Sequence, residues 1–262
     1  MVPECRRVRP REVPVLARTP NLPVGLHPEH RSGSSKPHTR APTGRSEGTL
    51  NPVGCEFTPW QANSTLHMDL HHVPAAREKG WYLALMAPNT KGPHYAWLDP
   101  SRLYCHPQGL KDCVTDLLQP FHGDPIDLVA GIDAMGFILG AAVAATLHKG
   151  FLAIRKAGHL CVETLAEPYT DYSGREKVME VRTDTVTPGM RILLVDQWVE
   201  TGGTMRAAIQ LVERQGGVVA GVAAICIEDS EGGRWIRERY KCAHCVPPRL
   251  QPRFDQHQMG WE

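Results

Sequence analysis

No stretch of this 262-residue chain comes near the roughly 18 uninterrupted apolar residues that a membrane helix requires. The expectation is a chain that neither crosses nor docks on a membrane. Its first residues lack the compact apolar core of a secretory signal. A charge excess is missing too: 29 Lys and Arg stand against 28 Asp and Glu, which makes no case for a nucleic-acid binder. The eight cysteines are scattered, with Cys113 and Cys226 inside apolar patterns. Without an export signal, free thiols in the reducing cytoplasm are expected.

What charge asymmetry exists is local. Residues 1–54 carry nine Lys or Arg, four acids and nine prolines, and show no apolar periodicity. They read as a disordered basic extension reaching to about residue 64. An Arg-rich, acid-poor start also resembles a mitochondrial transit peptide, although Pro3, Pro10, Pro14, Pro20 and Pro23 would break its amphipathic helix. A folded domain is expected over residues 65–245, and a proline-bearing tail over 246–262 that wraps the surface.

Within that domain, Val73 to Met86 reads as a helix ended by Ala87-Pro88. Leu110 to Phe121 reads as another, with Leu110, Val114, Leu117 and Leu118 on one face. Ile126 to Ile132 has the character of a buried strand, Gly136 to Leu147 of a helix and Phe151 to Ile154 of a short strand. Ala157 to Lys177 is polar with few strand signals. Strand character returns at Val178 to Val181, and Thr187-Pro188-Gly189 marks a turn. Then follow a strand at Ile192 to Val195, a helix at Thr204 to Gln215 and a strand at Val218 to Ile227. Apolar strands alternating with helices predict an α/β fold whose mainly parallel sheet is covered on both faces.

The chemistry concentrates in Arg191–Met205, R-I-L-L-V-D-Q-W-V-E-T-G-G-T-M. An apolar strand delivers Asp196 to its carboxyl end, the edge at which open α/β sheets bind ligands. Gly202 and Gly203 let the backbone bend and approach closely. Thr201 and Thr204 add hydroxyls, and the following helix opens with unpaired N–H groups and a positive dipole end. These parts suit a phosphate. A carboxylate beside it suits sugar hydroxyls, so phosphate and diol together point to a ribose 5-phosphate. The loop is no Walker motif, since Thr204 stands where that motif has lysine, and no G-x-G-x-x-G fingerprint occurs.

The segment resembles the phosphoribosyl-pyrophosphate (PRPP) signature of type I phosphoribosyltransferases. Residues 95–230 look like adenine phosphoribosyltransferase through Leu128-Val129-Ala130-Gly131-Ile132-Asp133, Gly136-Phe137, Ile154-Arg155-Lys156 and Asp171-Tyr172. The resemblance implies that fold, transfer of the phosphoribosyl group of PRPP to a purine base with release of pyrophosphate, and a homodimer. It implies Mg²⁺ carried by PRPP, with no metal ligated directly by the protein. It places Asp133 and Ala134 in a loop offering N–H groups to pyrophosphate, and Lys156 reaching toward the same group. The PRPP set is completed by Asp196, Gln197, Glu200, Thr201, Gly202, Gly203 and Thr204. Asp196, Glu200 and Tyr172 are the catalytic candidates, Tyr172 in a lid and Glu200 as proton donor or acceptor at a purine nitrogen.

Four departures from the family pattern stand out. Gln197 replaces the second of two adjacent acids, and Met135 replaces an arginine of the pyrophosphate loop. Leu98 falls where a base-recognition arginine is common, and His159 where a loop residue is usually basic. An acid at Glu200 fits hypoxanthine/guanine relatives better than adenine ones. These losses also admit a second reading, a catalytically weakened PRPP or nucleotide binder acting as a regulator. Cys242-Ala243-His244-Cys245, with His257, is a thin zinc candidate beside the default of unmetallated thiols.

Overall fold

The computed structural model describes residues 73–88, 98–171 and 173–255. The expected extension over residues 1–64, Tyr172 and His257 lie outside the described residues.

Two short strands, β1 (Ala87–Pro88) and β2 (Leu98–Asp99), pair antiparallel. Helices α1 (Ser101–Cys105) and α2 (Pro107–Leu118) follow. The His106 ring nitrogen caps α2 by accepting from Gly109 N–H at 2.9 Å, and Pro107 supplies the fixed φ suited to a first turn.

The main sheet then begins with β3 (Leu128–Ile132), helix α3 (Met135–Leu147) and β4 (Gly150–Lys156). An antiparallel hairpin comes next, β5 (Thr164–Thr170) and β6 (Glu176–Arg182). The chain continues through β7 (Arg191–Val199), α4 (Gly203–Arg214), β8 (Val218–Ile227), α5 (Glu231–Arg239), β9 (Cys242–His244) and α6 (Gln251–Asp255). Strand order is β5-β6-β4-β3-β7-β8-β9. β4, β3, β7, β8 and β9 run parallel, while the hairpin adds antiparallel at one edge. The expectation of an α/β, mainly parallel sheet holds.

Alternation along β7 builds two cores. Leu193 and Val195 face a layer containing Leu117, Leu139, Val143 and Phe254. Ile192 and Leu194 face the opposite layer, with Ile209, Leu211 and Ile236. Two buried faces explain why these strands read as unbroken apolar runs.

Several elements differ from the sequence expectations. Only Trp81–Leu85 of the helix expected over 73–86 is helical, as a 3₁₀ turn. Gly80 precedes it at φ 79°, close against the Cys245 carbonyl, and breaks any longer helix. β3 starts at Leu128, two residues later than expected; just before it the Asp127 carboxylate accepts the Arg191 N–H at 2.8 Å while the Asp127 N–H donates to the Arg191 carbonyl at 2.8 Å. The polar segment 157–177 contains β5, an edge strand paired on one side only, which tolerates Pro168. Beyond residue 245, Val246 and Phe254 are buried in the first core layer, so this segment packs as well as wraps.

Candidate functional site

A cavity of about 260 Å³ opens at the carboxyl edge of the parallel strands. Asp133, Ala134 and Met135 line it from the β3–α3 turn, Asp196 to Thr201 from the end of β7, and Gly202, Thr204 and Met205 from the start of α4; Asp99 completes it.

The cradle has the geometry that an anion requires. Gly202 adopts φ 81°, a left-handed conformation that glycine accepts without strain. Among the described residues no side chain caps α4, so its first N–H groups remain available to a ligand. A Cβ at Gly203 would collide with the Thr170 carbonyl at the end of β5. The cradle is braced from behind as well: Ser230, which caps α5, donates its hydroxyl to the Glu200 carbonyl.

Asp196 lies between cradle and β3 turn. Its Oδ1 accepts the Gln197 N–H at 2.7 Å. Burial outweighs that bond and lifts the carboxyl to about 7. Gly136 permits this packing, since a Cβ there would lie 2.8 Å from the Val195 carbonyl and 3.3 Å from Asp196 Oδ1. The Asp133–Ala134 peptide is cis. Arg155 lies 3.6 Å from Asp133 through Nε, which offsets that carboxylate's charge behind the loop.

Of the residues singled out from sequence, Asp133, Ala134, Asp196, Gln197, Glu200, Thr201, Gly202 and Thr204 line this one cavity. Gly203 sits behind the lining, at the first position of α4. Lys156 does not line the cavity; it is exposed at the end of β4. Asp171 is tied down: burial opposes its ionisation, but Lys177, the Ser173 hydroxyl and the Arg175 and Ser173 N–H groups hold its carboxyl well below the ordinary range. His159 is exposed and donates its backbone N–H to Glu180. Leu98 is buried in the core, while its neighbour Asp99 faces the cavity.

Trp198 was missed. It lines the cavity, donates Nε1–H to Glu228 at 2.5 Å and stacks on Phe254 with centroids 5.7 Å apart. Its place directly after the Asp-Gln pair was the available signal. The Cys-x-x-Cys thiols diverge: Cys242 packs against one core layer and Cys245 belongs to the other, with its Sγ 3.6 Å from that of Cys113. The spacing therefore does not bring them together for zinc. Among the described residues no group of three or more His, Cys, Asp or Glu side chains could hold a metal ion.

A mainly parallel sheet with a glycine turn, an uncapped helix start and a carboxylate at its carboxyl edge defines an α/β protein built to hold an anionic ligand there. The sequence profile of the phosphoribosyl transferase domain matches residues 103–250, and the chain belongs to that enzyme family. It is 44% identical over 138 residues to the adenine phosphoribosyltransferase of Thermobifida fusca, covering 53% of this chain and 78% of that one. Among solved structures, the adenine phosphoribosyltransferase of Thermoanaerobacter pseudethanolicus superposes with a TM-score of 0.57 at 28% identity, covering 62% of this chain and 93% of that one. The enzyme from Giardia lamblia, complexed with 9-deazaadenine, gives 0.57 at 29%, with coverage of 63% and 93%. The fold is that of the type I phosphoribosyltransferases.

Proposed function

We propose that this protein is an adenine-type phosphoribosyltransferase of purine salvage. A ring nitrogen of the base attacks ribose C1 of PRPP, the C1–oxygen bond breaks, and pyrophosphate departs with the electron pair. The observation that carries this reading is the single cavity joining the Asp133–Ala134 turn, Asp196 and the Thr201–Thr204 cradle. Those three parts match the pyrophosphate, ribose and 5-phosphate of one substrate.

In this reading the cradle N–H groups and threonine hydroxyls take the 5-phosphate, and Asp196 accepts from the ribose hydroxyls. Backbone N–H groups at Asp133 and Ala134 meet pyrophosphate, and Lys156, exposed at the end of β4 outside the cavity lining, supplies positive charge toward the same group. Gln197 adds an uncharged amide beside the sugar. Glu200 gives or takes a proton at the base. Charge builds on ribose and pyrophosphate together, so fixed donors and exclusion of water supply the rate.

Mg²⁺ fits here as a passenger of the substrate. The lining offers hard carboxylate oxygens at Asp196 and Asp133 but, among the described residues, no cage of three ligands, which suits an ion that arrives on phosphates. Bound there, it would neutralise departing pyrophosphate. A homodimer is supported by α3, whose residues are apolar on every face: Ile138 and, from β4, Phe151 remain exposed outside the cavity. All six described cysteines are free thiols, in keeping with a cytoplasmic setting.

Incubation with PRPP, Mg²⁺ and each purine base, followed by nucleotide detection, tests the reading. AMP from adenine is expected. Folded protein that forms no nucleotide from any base refutes it. The comparisons favour this enzyme over a non-catalytic binder, because the related chains are named as transferases.

A further inference from the structure

Trp198 is the single aromatic side chain in the cavity lining among the described residues. A planar base gains most from a wall of this kind when the ring is held still, because a free indole must be ordered on binding. Two groups outside the cavity fix it. The Glu228 carboxylate, only 4% exposed, accepts Nε1–H at 2.5 Å. Phe254, 1% exposed, lies against the ring at an interplanar angle of 26°.

Both supports are themselves clamped. Asp229 N–H donates to Asp255 of α6 at 2.8 Å, and Gln251 Nε2 donates to the Ile227 carbonyl at 3.2 Å. Arg237 of α5 donates to the same carbonyl at 3.0 Å and to Asp229 at 2.7 Å. The loop carrying Glu228 is thus tied to two helices, and α6 presses Phe254 onto the indole. None of these groups lines the cavity.

We propose that Glu228 and Phe254 are positioning residues that lock the Trp198 indole as the base-facing wall of the site, so that residues 228–255 set affinity for the base without touching it. This rests on the transferase reading above.

The test measures KM for adenine, KM for PRPP and kcat, with AMP affinity by calorimetry, for wild type and for Glu228→Ala, Glu228→Asp, Glu228→Gln and Phe254→Leu. Leaving the indole N–H without its acceptor corresponds to about tenfold. Glu228→Ala is expected to raise the adenine KM and the AMP Kd about tenfold and to leave the PRPP KM within about twofold. Gln keeps an acceptor oxygen and should restore near-wild-type values; Asp, one methylene short, should not. Phe254→Leu should fall between. Should the alanine variant not fold, the Asp and Gln pair carries the same comparison. Active wild type with adenine and PRPP KM moving together, or neither moving in the Ala and Asp variants, overturns the positioning role alone. Wild type that neither turns over nor binds AMP overturns both the role and the reading it rests on.

Discussion

Replacing Asp196 by asparagine is expected to stabilise the ligand-free protein while crippling it. Burial lifts this carboxyl from an ordinary 3.8 to about 7, against a single N–H bond from Gln197. The folded chain therefore keeps a proton that the unfolded chain releases. A carboxyl with a raised folded pKa costs nothing below about 3.8, where it is neutral in both states. Its cost grows as pH rises from there and is complete above about 7. The interval, 7 minus 3.8, is about 3 pH units, or about 4 kcal/mol as an upper limit. Asp196 is partly open to the cavity, and water screens much of that, leaving about 1–2 kcal/mol. In a domain of this size each kcal/mol moves Tm by about 2–4 °C. Asp196→Asn should thus melt about 2–8 °C above wild type at pH 8 and close to it at pH 4.5. Thermal unfolding followed by circular dichroism at pH 4.5, 6 and 8, without ligand, reads this directly. A Tm difference that does not grow with pH would refute the desolvation argument. The same variant should lose at least about tenfold in kcat/KM for PRPP, since an anionic acceptor for the sugar is gone. Undiminished use of PRPP would refute its role at the ribose.

Other substitutions probe the remaining parts. Met135→Arg restores a cation to the pyrophosphate turn and should lower the PRPP KM about tenfold in steady-state assays. Gly203→Ala drives a methyl into the Thr170 carbonyl, so Tm should fall by several degrees and the PRPP KM should rise. Ile138→Glu places a charge on the exposed face of α3, where Ile138 is 43% exposed, and should turn a dimer into a monomer by light scattering with little change in the monomer's fold.

Much of the sheet was legible because its strands are buried on both faces. Val218–Ile227 was read at its observed bounds, and β7 was recognised but cut short at Val195 because Asp196 and Gln197 interrupt the apolar run. The elements that escaped carry weak patterns. β5 is half-exposed along its length, and α5 has the sequence EGGRWIRER, whose glycines and arginines obscure a helix capped by Ser230. The site followed the same rule. The cradle and Asp196 are contiguous in sequence with the strand that presents them. Glu228 is an acid in a loop 30 residues from Trp198, and only the three-dimensional path of the chain sets it on the indole nitrogen.

The contact between the cradle and α5 restricts where this enzyme can diverge. A Cβ at Gly202 would lie 2.9 Å from the Gly232 Cα, and one at Gly232 would strike the Thr201 carbonyl. Two backbones touching leave no room for side-chain variation, so the phosphate end of the site is closed to gradual change. Drift in substrate choice is channelled instead into cavity-lining positions outside that contact. Gln197, Glu200 and Met135 are such positions.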